Sequence, residues 1–134
     1  MTRMRRAWWQ VVALLLIVVS VTSCARSPEA RRDRAYARAI KYIGQAKTNE
    51  AILELRNALK ADPRFAEGHY RRGLIFRERG WLGDAKREIA RAVELKPDHK
   101  EARLGLAQVE LDLQAFDEAI AQAQKVLAAD PASG

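Results

Sequence analysis

Residues 66–99 read AEGHYRRGLIFRERGWLGDAKREIARAVELKPDH, and their punctuation recurs on either side at a fixed interval. Pro63, Pro97 and Pro131 stand 34 residues apart, and so do Ala51, Ala85 and Ala119. With each proline at repeat position 32, the chain divides into units 32–65, 66–99 and 100–133. Position 8 is then Ala39, Gly73 or Ala107, always small, and position 28 is Leu59, Val93 or Leu127. Self-similarity at this period signals a stacked array, in which each unit buries its apolar face only against its neighbours.

Apolar residues inside a unit fall at helical spacing: Ile52, Leu55 and Leu59 on one segment, Leu82, Ala85, Ile89 and Val93 on another. That pattern predicts two amphipathic helices per unit. Small residues at positions 8 and 20 let the two helices approach closely. Proline lacks a backbone N–H, so each boundary proline is expected to end one helix or to sit in the first turn of the next. Ser27-Pro28-Glu29 reads as a helix start, with a serine N-cap, proline at N1 and an acid near the positive end. The spacing predicts helices at 28–45, 49–60, 64–79, 83–95, 98–112 and 116–129. No strand pattern competes, so the fold class is all-α.

Period 34 with small residues at 8 and 20 and proline at 32 resembles the tetratricopeptide repeat. The middle unit matches best, through Gly73, Phe76, Leu82, Ala85, Ile89, Ala92 and Pro97. The outer units depart from the pattern: Thr48 and Glu110 stand where an aromatic is usual, and Val126 replaces the usual alanine. The tryptophan common at position 4 is Ala35, His69 and Arg103 here. The resemblance implies a right-handed α-solenoid of three helix-turn-helix units. It also implies a concave groove lined by positions 2, 5, 9 and 12 of each first helix. Its apolar strip comprises Tyr36, Ile40, Ile43, Tyr70, Leu74, Leu104 and Leu111, with Gln108 and Arg77 beside them and Asp33, Glu67 and Glu101 at the rim. Such a groove suits a helix or an extended peptide with apolar anchors. The alternative is that some of these side chains pack between units and are not exposed. Substituting Tyr70→Ala with Leu74→Ala is expected to weaken partner capture without unfolding the array. Chaperone-binding members of the family clamp a peptide's terminal carboxylate with an Asn at position 9. Here that position is Ile40, Leu74 and Gln108, so the clamp is not written in this chain.

Residues 1–23 read differently. Three arginines without an acid precede a run from Ala7 to Val19 broken only by Gln10, and small residues follow. This is the layout of a secretory signal peptide. The run is shorter than the roughly 18–20 apolar residues that a spanning helix wants. Val21-Thr22-Ser23-Cys24 resembles the bacterial lipobox, in which a cysteine thiol is acylated (palmitate being typical) and the peptide is cut just before it. The resemblance makes Cys24 the lipidation site, with residues 24–31 as a short tether running into the first helix. An ordinary signal peptide with a chance cysteine, or an uncleaved anchor, are the alternatives. Several acyl chains hold a protein far better than one, at about 0.8 kcal/mol per buried CH₂. Ala25 follows Cys24 in place of the Asp that signals inner-membrane retention in enterobacterial lipoproteins, so periplasm-facing outer-membrane placement is expected.

The 134-residue chain carries net charge +7, with one cysteine and two histidines. The single cysteine rules out an internal disulfide framework, and two histidines rule out most His-rich metal sites. Three of the positive charges belong to residues 1–23, leaving +4 on residues 24–134. That remainder, on an exported chain, argues against nucleic acid as partner. It is uneven: residues 24–80 carry fourteen cations against seven acids, and residues 81–134 seven against ten. Arg26, Arg31, Arg32, Arg34 and Arg38 gather next to Cys24, facing either anionic headgroups or solvent.

Nothing in the chain reads as catalysis. A nucleophile needs a base beside it, and the repeats offer only Ser27, Thr48 and Ser133 besides tyrosines. His69 sits at a position that packs between helices, His99 stands in a turn, and no second ligand lies at metal spacing. No cofactor and no metal are expected beyond the covalent lipid on Cys24. The expected function is a membrane-anchored adaptor that holds protein or peptide partners in a bacterial envelope. The arrangement resembles lipoproteins of type IV pilus biogenesis, of outer-membrane assembly and, most closely, of exosortase-linked polymer export. Because such proteins usually carry more repeats, the chain is either a short relative or a truncated copy. The competing expectation is a self-assembling scaffold joined through Ile120, Ala123 and Leu127 on the last helix.

Overall fold

A computed structural model describes residues 27–129. Six helices follow one another: α1 Pro28–Gly44, α2 Thr48–Ala61, α3 Ala66–Glu78, α4 Leu82–Leu95, α5 Lys100–Asp112 and α6 Phe116–Ala129. No strand occurs among the described residues. Every predicted helix is present, with boundaries displaced by two residues at most. The expected start of α1 holds in detail: Pro28 occupies the first turn, and the Ser27 hydroxyl accepts from the Ala30 N–H at 3.1 Å. The lipidation site Cys24 and the apolar run before it lie outside the described residues.

Each odd-numbered helix packs against the next to form a hairpin, and the second helix of one hairpin packs on the first helix of the following one. The result is the α-solenoid that a 34-residue period implies. Two apolar clusters form its core. One joins Ala39, Ala51, Leu55 and Ile75, and the other joins Ala85, Ile89, Ala92, Ala102, Leu106 and Val109. Each contains residues from two successive units, so neither unit completes its core alone.

The small residues explain how closely the hairpins close. A Cβ added at Gly73 would stand 2.4 Å from Cγ1 of Ile89 and 3.2 Å from the Ala85 carbonyl oxygen. Position 20 (Ala51, Ala85, Ala119) is buried in all three units. Position 28 shows what stacking adds, for Leu59 is 7% exposed in the first unit, whereas Leu127 is 51% exposed in the last.

The turn inside each hairpin is also repeated. Position 15 is Ala46, Gly80 or Gln114, and each has positive φ, at 56°, 74° and 61°. The following N–H reaches back five residues: Lys47 to Tyr42, Trp81 to Phe76 and Ala115 to Glu110. This is a Schellman ending, which satisfies carbonyls left open by the finished helix. In the middle unit it carries its usual apolar partner, with the Phe76 and Trp81 rings 5.6 Å apart.

Pro63 and Pro97 directly follow the C-caps Asp62 and Lys96, at the ends of α2 and α4 as expected, while Pro131 lies outside the described residues. Both occupy the second position of β-turns closed by Phe65 N–H to Asp62 and His99 N–H to Lys96. Proline's fixed φ suits that position, and its missing N–H is not needed there. Glu110 departs from the repeat pattern. It stands where an aromatic is usual and is 3% exposed, with Oε2 unpartnered in the structure and Oε1 3.6 Å from Lys86 Nζ.

Candidate binding groove

The first helices α1, α3 and α5 carry all the groove positions, and the structure places them in three different environments. Ile40 and Ile43 on α1 and Leu104 and Leu111 on α5 are exposed apolar side chains, and Gln108 is exposed beside them. Tyr36, Tyr70 and Leu74 are half-buried: Tyr36 packs on the first core cluster, Tyr70 and Leu74 on the second. Substituting Tyr70 and Leu74 therefore removes core contacts too, as the alternative of side chains packed between units implies. Arg77 is neither free nor merely lining. Its Nε donates to Asp112 at 2.6 Å and its Nη1 to Gln108 at 3.1 Å, tying α3 to α5.

Further polar bonds run along this face, within the first two units and, through Tyr36, between them. Arg32 donates to Asp62 at 3.0 Å and lies over the Phe65 ring, and Phe65 meets Tyr36 edge-on. The Tyr36 hydroxyl donates to Glu67 Oε1 at 3.1 Å, the oxygen that Arg71 Nε also reaches at 2.7 Å. His99 Nε2 lies 2.9 Å from the other Glu67 oxygen, and its ring stacks edgewise on Tyr70. Glu67 thus gathers bonds from both ends of its own unit and from the unit before it. Burial alone would raise its carboxyl, but the bonds from His99 and Arg71, with Tyr36 adding less, hold it below the ordinary glutamate range. The sequence marked Glu67 as a rim acid and His99 as a turn residue. Only the fold brings them together, across 32 positions.

A second network braces the hairpins from within. His69 Nδ1 lies 2.8 Å from Glu88, and its Nε2 lies 3.1 Å from the Pro63 carbonyl. Arg103, at the same repeat position, donates to the Pro97 carbonyl at 2.6 Å and to Gln122 at 3.3 Å. Arg72 joins Glu88 through two bonds, and Arg38 joins Glu54 in the same way at 2.8 Å through one. His69 is therefore the packed, structural imidazole that its repeat position predicts. Glu54 is likewise part of a hairpin clasp, through Arg38.

No group of His, Cys, Asp and Glu able to hold a metal occurs among the described residues. No helix among them is long and apolar enough to cross a membrane. What the face offers is an apolar strip at each end of the array, set beside charges that are already paired with one another.

The family profile described as tetratricopeptide repeat matches residues 36–85 and 76–134, and the chain belongs to that family. No curated protein sequence matches it. Among solved structures it is similar to the first TPR of Spaghetti (RPAP3), bound to the HSP90 peptide SRMEEVD. The identity is 22%, covering 78% of this chain and 82% of that one, with a TM-score of 0.73. The TPR domain of Arabidopsis OM64 is similar at 17% identity, covering 78% and 87%, with a TM-score of 0.73. MamA is similar at 20% identity over 72% of this chain and 56% of its own, with a TM-score of 0.69. These likenesses establish the fold.

Proposed function

We propose that the chain is a membrane-anchored adaptor of the bacterial envelope, which holds a protein or peptide partner in the groove of its three repeats. The observation that carries the groove reading is the exposure of Ile40, Ile43, Leu104 and Leu111 on first helices that are otherwise braced by paired charges. Apolar side chains held on a rigid scaffold and left without a partner are what an interaction surface requires. Relatives by fold bind peptides: the Spaghetti domain holds the HSP90 peptide SRMEEVD, which carries three acidic residues. This chain would take a different ligand. Its position-9 residues are Ile40, Leu74 and Gln108, and the groove cations Arg71 and Arg77 are bonded to Glu67 and Asp112. A peptide with apolar anchors fits that inventory.

Anchoring rests on the sequence: the basic start, the apolar run Ala7–Val19 and the lipobox-like Val21-Thr22-Ser23-Cys24. It supports an acylated Cys24 and periplasm-facing placement, at the outer membrane in preference to the inner. It also supports service in polymer export, pilus assembly or outer-membrane assembly. Cys24→Ser should abolish detergent-phase partitioning of the exported protein, and unchanged partitioning would overturn lipidation. For the groove, Leu104→Ser with Leu111→Ser leaves the core clusters untouched. It should remove a partner trapped by crosslinking in the native envelope, and retention of that partner would refute the assignment.

Self-assembly is the second reading, favoured by α6. Phe116 is 58% exposed, Ile120 55% and Leu127 51%, in a stripe where a further unit would stack. Light scattering on a chain lacking residues 1–24 separates the readings, because a strict monomer at high concentration excludes this one.

A further inference from the structure

At the opposite end of the array, α1 and α2 enclose a cleft of about 480 Å³ lined by Arg31, Arg34, Arg38, Asn57 and Lys60 over a floor of Ala35 and Ala61. We infer that this cleft is a phosphate site for the headgroup of an anionic phospholipid, and that it seats the first repeat on the bilayer. The inference rests on the anchored reading above for its source of lipid.

The lining explains the ligand class. Four cations and one carboxamide converge, and no carboxylate is among them. Arg31, Arg34 and Arg38 recur at i, i+3 and i+7 on α1, so they form one stripe. Asn57 and Lys60 face them from α2 at i and i+3. Arg38 is steadied by its bond to Glu54 at 2.8 Å, and Arg34 by donating Nε to the Ala30 carbonyl at 3.1 Å. A guanidinium has five donors in a fixed fork, so one bond to Glu54 leaves others for phosphate oxygens. The floor residues are small, and the Asn57 carboxamide, which bonds Glu54, places a neutral group beside the charges.

Position explains the source. The first residue of α1 follows Cys24 by four positions, a tether of at most about 14 Å when fully extended. Arg31 lies within the first turn of that helix, so a bilayer holding Cys24 brings its surface to the mouth of the cleft. Charge along the array agrees in sign. Residues 24–80 have a net excess of seven cations and residues 81–134 of three acids, so an anionic surface draws the first end in and pushes the last end away. Such attraction decays over about 8 Å at physiological salt, which confines it to this end.

The test uses the full chain in zwitterionic phosphocholine micelles, followed by amide and side-chain resonances of α1 and α2. Phosphatidylglycerol is doped in stepwise, and inorganic phosphate is titrated in a parallel sample. Arg31, Asn57 and Lys60 should shift with the doped lipid at far lower concentration than with phosphate. Arg31→Gln with Lys60→Gln should weaken the response about fivefold per charge removed. Asn57→Asp, which puts a carboxylate in the lining, should weaken it as well. Arg87→Gln, an exposed arginine of α4 paired with Asp84, should change nothing. Attachment to micelles is read separately from the tumbling time of the chain, so a failed anchor and a failed cleft give different results. Equal potency of inorganic phosphate would overturn the lipid source. Equal loss with Arg87→Gln, an unaltered response in Asn57→Asp, or shifts that follow protein concentration without any anionic lipid would each overturn the site.

Discussion

Adding one methyl group at Gly73 sets two opposed effects against each other, and the structure fixes their sum. In a free helix, Gly→Ala gains about 1 kcal/mol, because glycine gives up more backbone freedom on folding. At Gly73 the new Cβ meets Ile89 Cγ1 at 2.4 Å and the Ala85 carbonyl at 3.2 Å. Ile89 is fully buried, and Cγ1 lies at the root of a β-branched side chain, so it cannot swing aside. Overpacking of this kind costs typically 1–3 kcal/mol, and a contact this short belongs at the upper end. The net change is a loss of about 1–2 kcal/mol, which lowers Tm by roughly 4–12 °C for a domain of this size. Thermal unfolding by far-UV circular dichroism reads it directly. The first unit supplies the compensating variant, for there Ala39 at position 8 is matched with Leu55 at the position of Ile89. Gly73→Ala combined with Ile89→Leu should recover most of the loss, and the non-additivity measures the contact itself. A Gly73→Ala protein as stable as the parent, or more so, would refute the account of how small residues set the hairpin spacing.

Glu110→Leu should raise Tm by roughly 4–12 °C, since it removes a buried carboxylate whose Oε2 is unpartnered while Lys86 stays partly solvated; a fall in Tm would contradict this. Gln114→Gly relieves a non-glycine residue at φ 61° and should stabilise by about 0.5–1 kcal/mol, whereas Gly80→Ala should destabilise by a similar amount. Acid should weaken the fold through Glu88. Burial would raise its carboxyl, but His69 and then Arg72 overcome that and hold it below the ordinary glutamate range. A depressed folded pKa means stability present above the unfolded value of about 4.3 and lost as pH falls from there through the folded value. Denaturant melts of Glu88→Gln should therefore show lower stability at neutral pH and a flatter acid limb, and an unchanged acid limb would exclude Glu88 as its source.

The helices were legible because proline and small residues at a fixed period, together with amphipathic spacing, are local properties. Even the N-cap at Ser27 could be read from three consecutive residues. The turn at position 15 was not legible, because Ala46 and Gln114 carry no trace of positive φ in their side chains. It shows only when all three units adopt the same Schellman ending. Groove positions were assigned from the resemblance, and the structure divides them by neighbours that the sequence does not reveal. Tyr70 and Leu74 lean on Ile89 and its cluster, whereas Leu111 has no such neighbour and is 51% exposed. The bonds around Glu67 join Tyr36, Arg71 and His99, and no spacing rule connects those residues before the array is stacked.

The falling coverage of position 28, from Leu59 through Val93 to Leu127, gives the chain a direction of growth. Its first end closes in arginine and lysine and offers an added helix little to pack on, while its last end presents the side chains on which another unit would settle. A duplicate of residues 66–99 spliced in before Lys100 would find on its later side the contact with α5 that its original already makes, and on its earlier side α4 at the place where the original meets α2. Lengthening by gene duplication would thus enlarge the interior of the array and leave the charged start unaltered. The number of units, and with it the length of the groove, is a quantity that evolution or an engineer can change one repeat at a time.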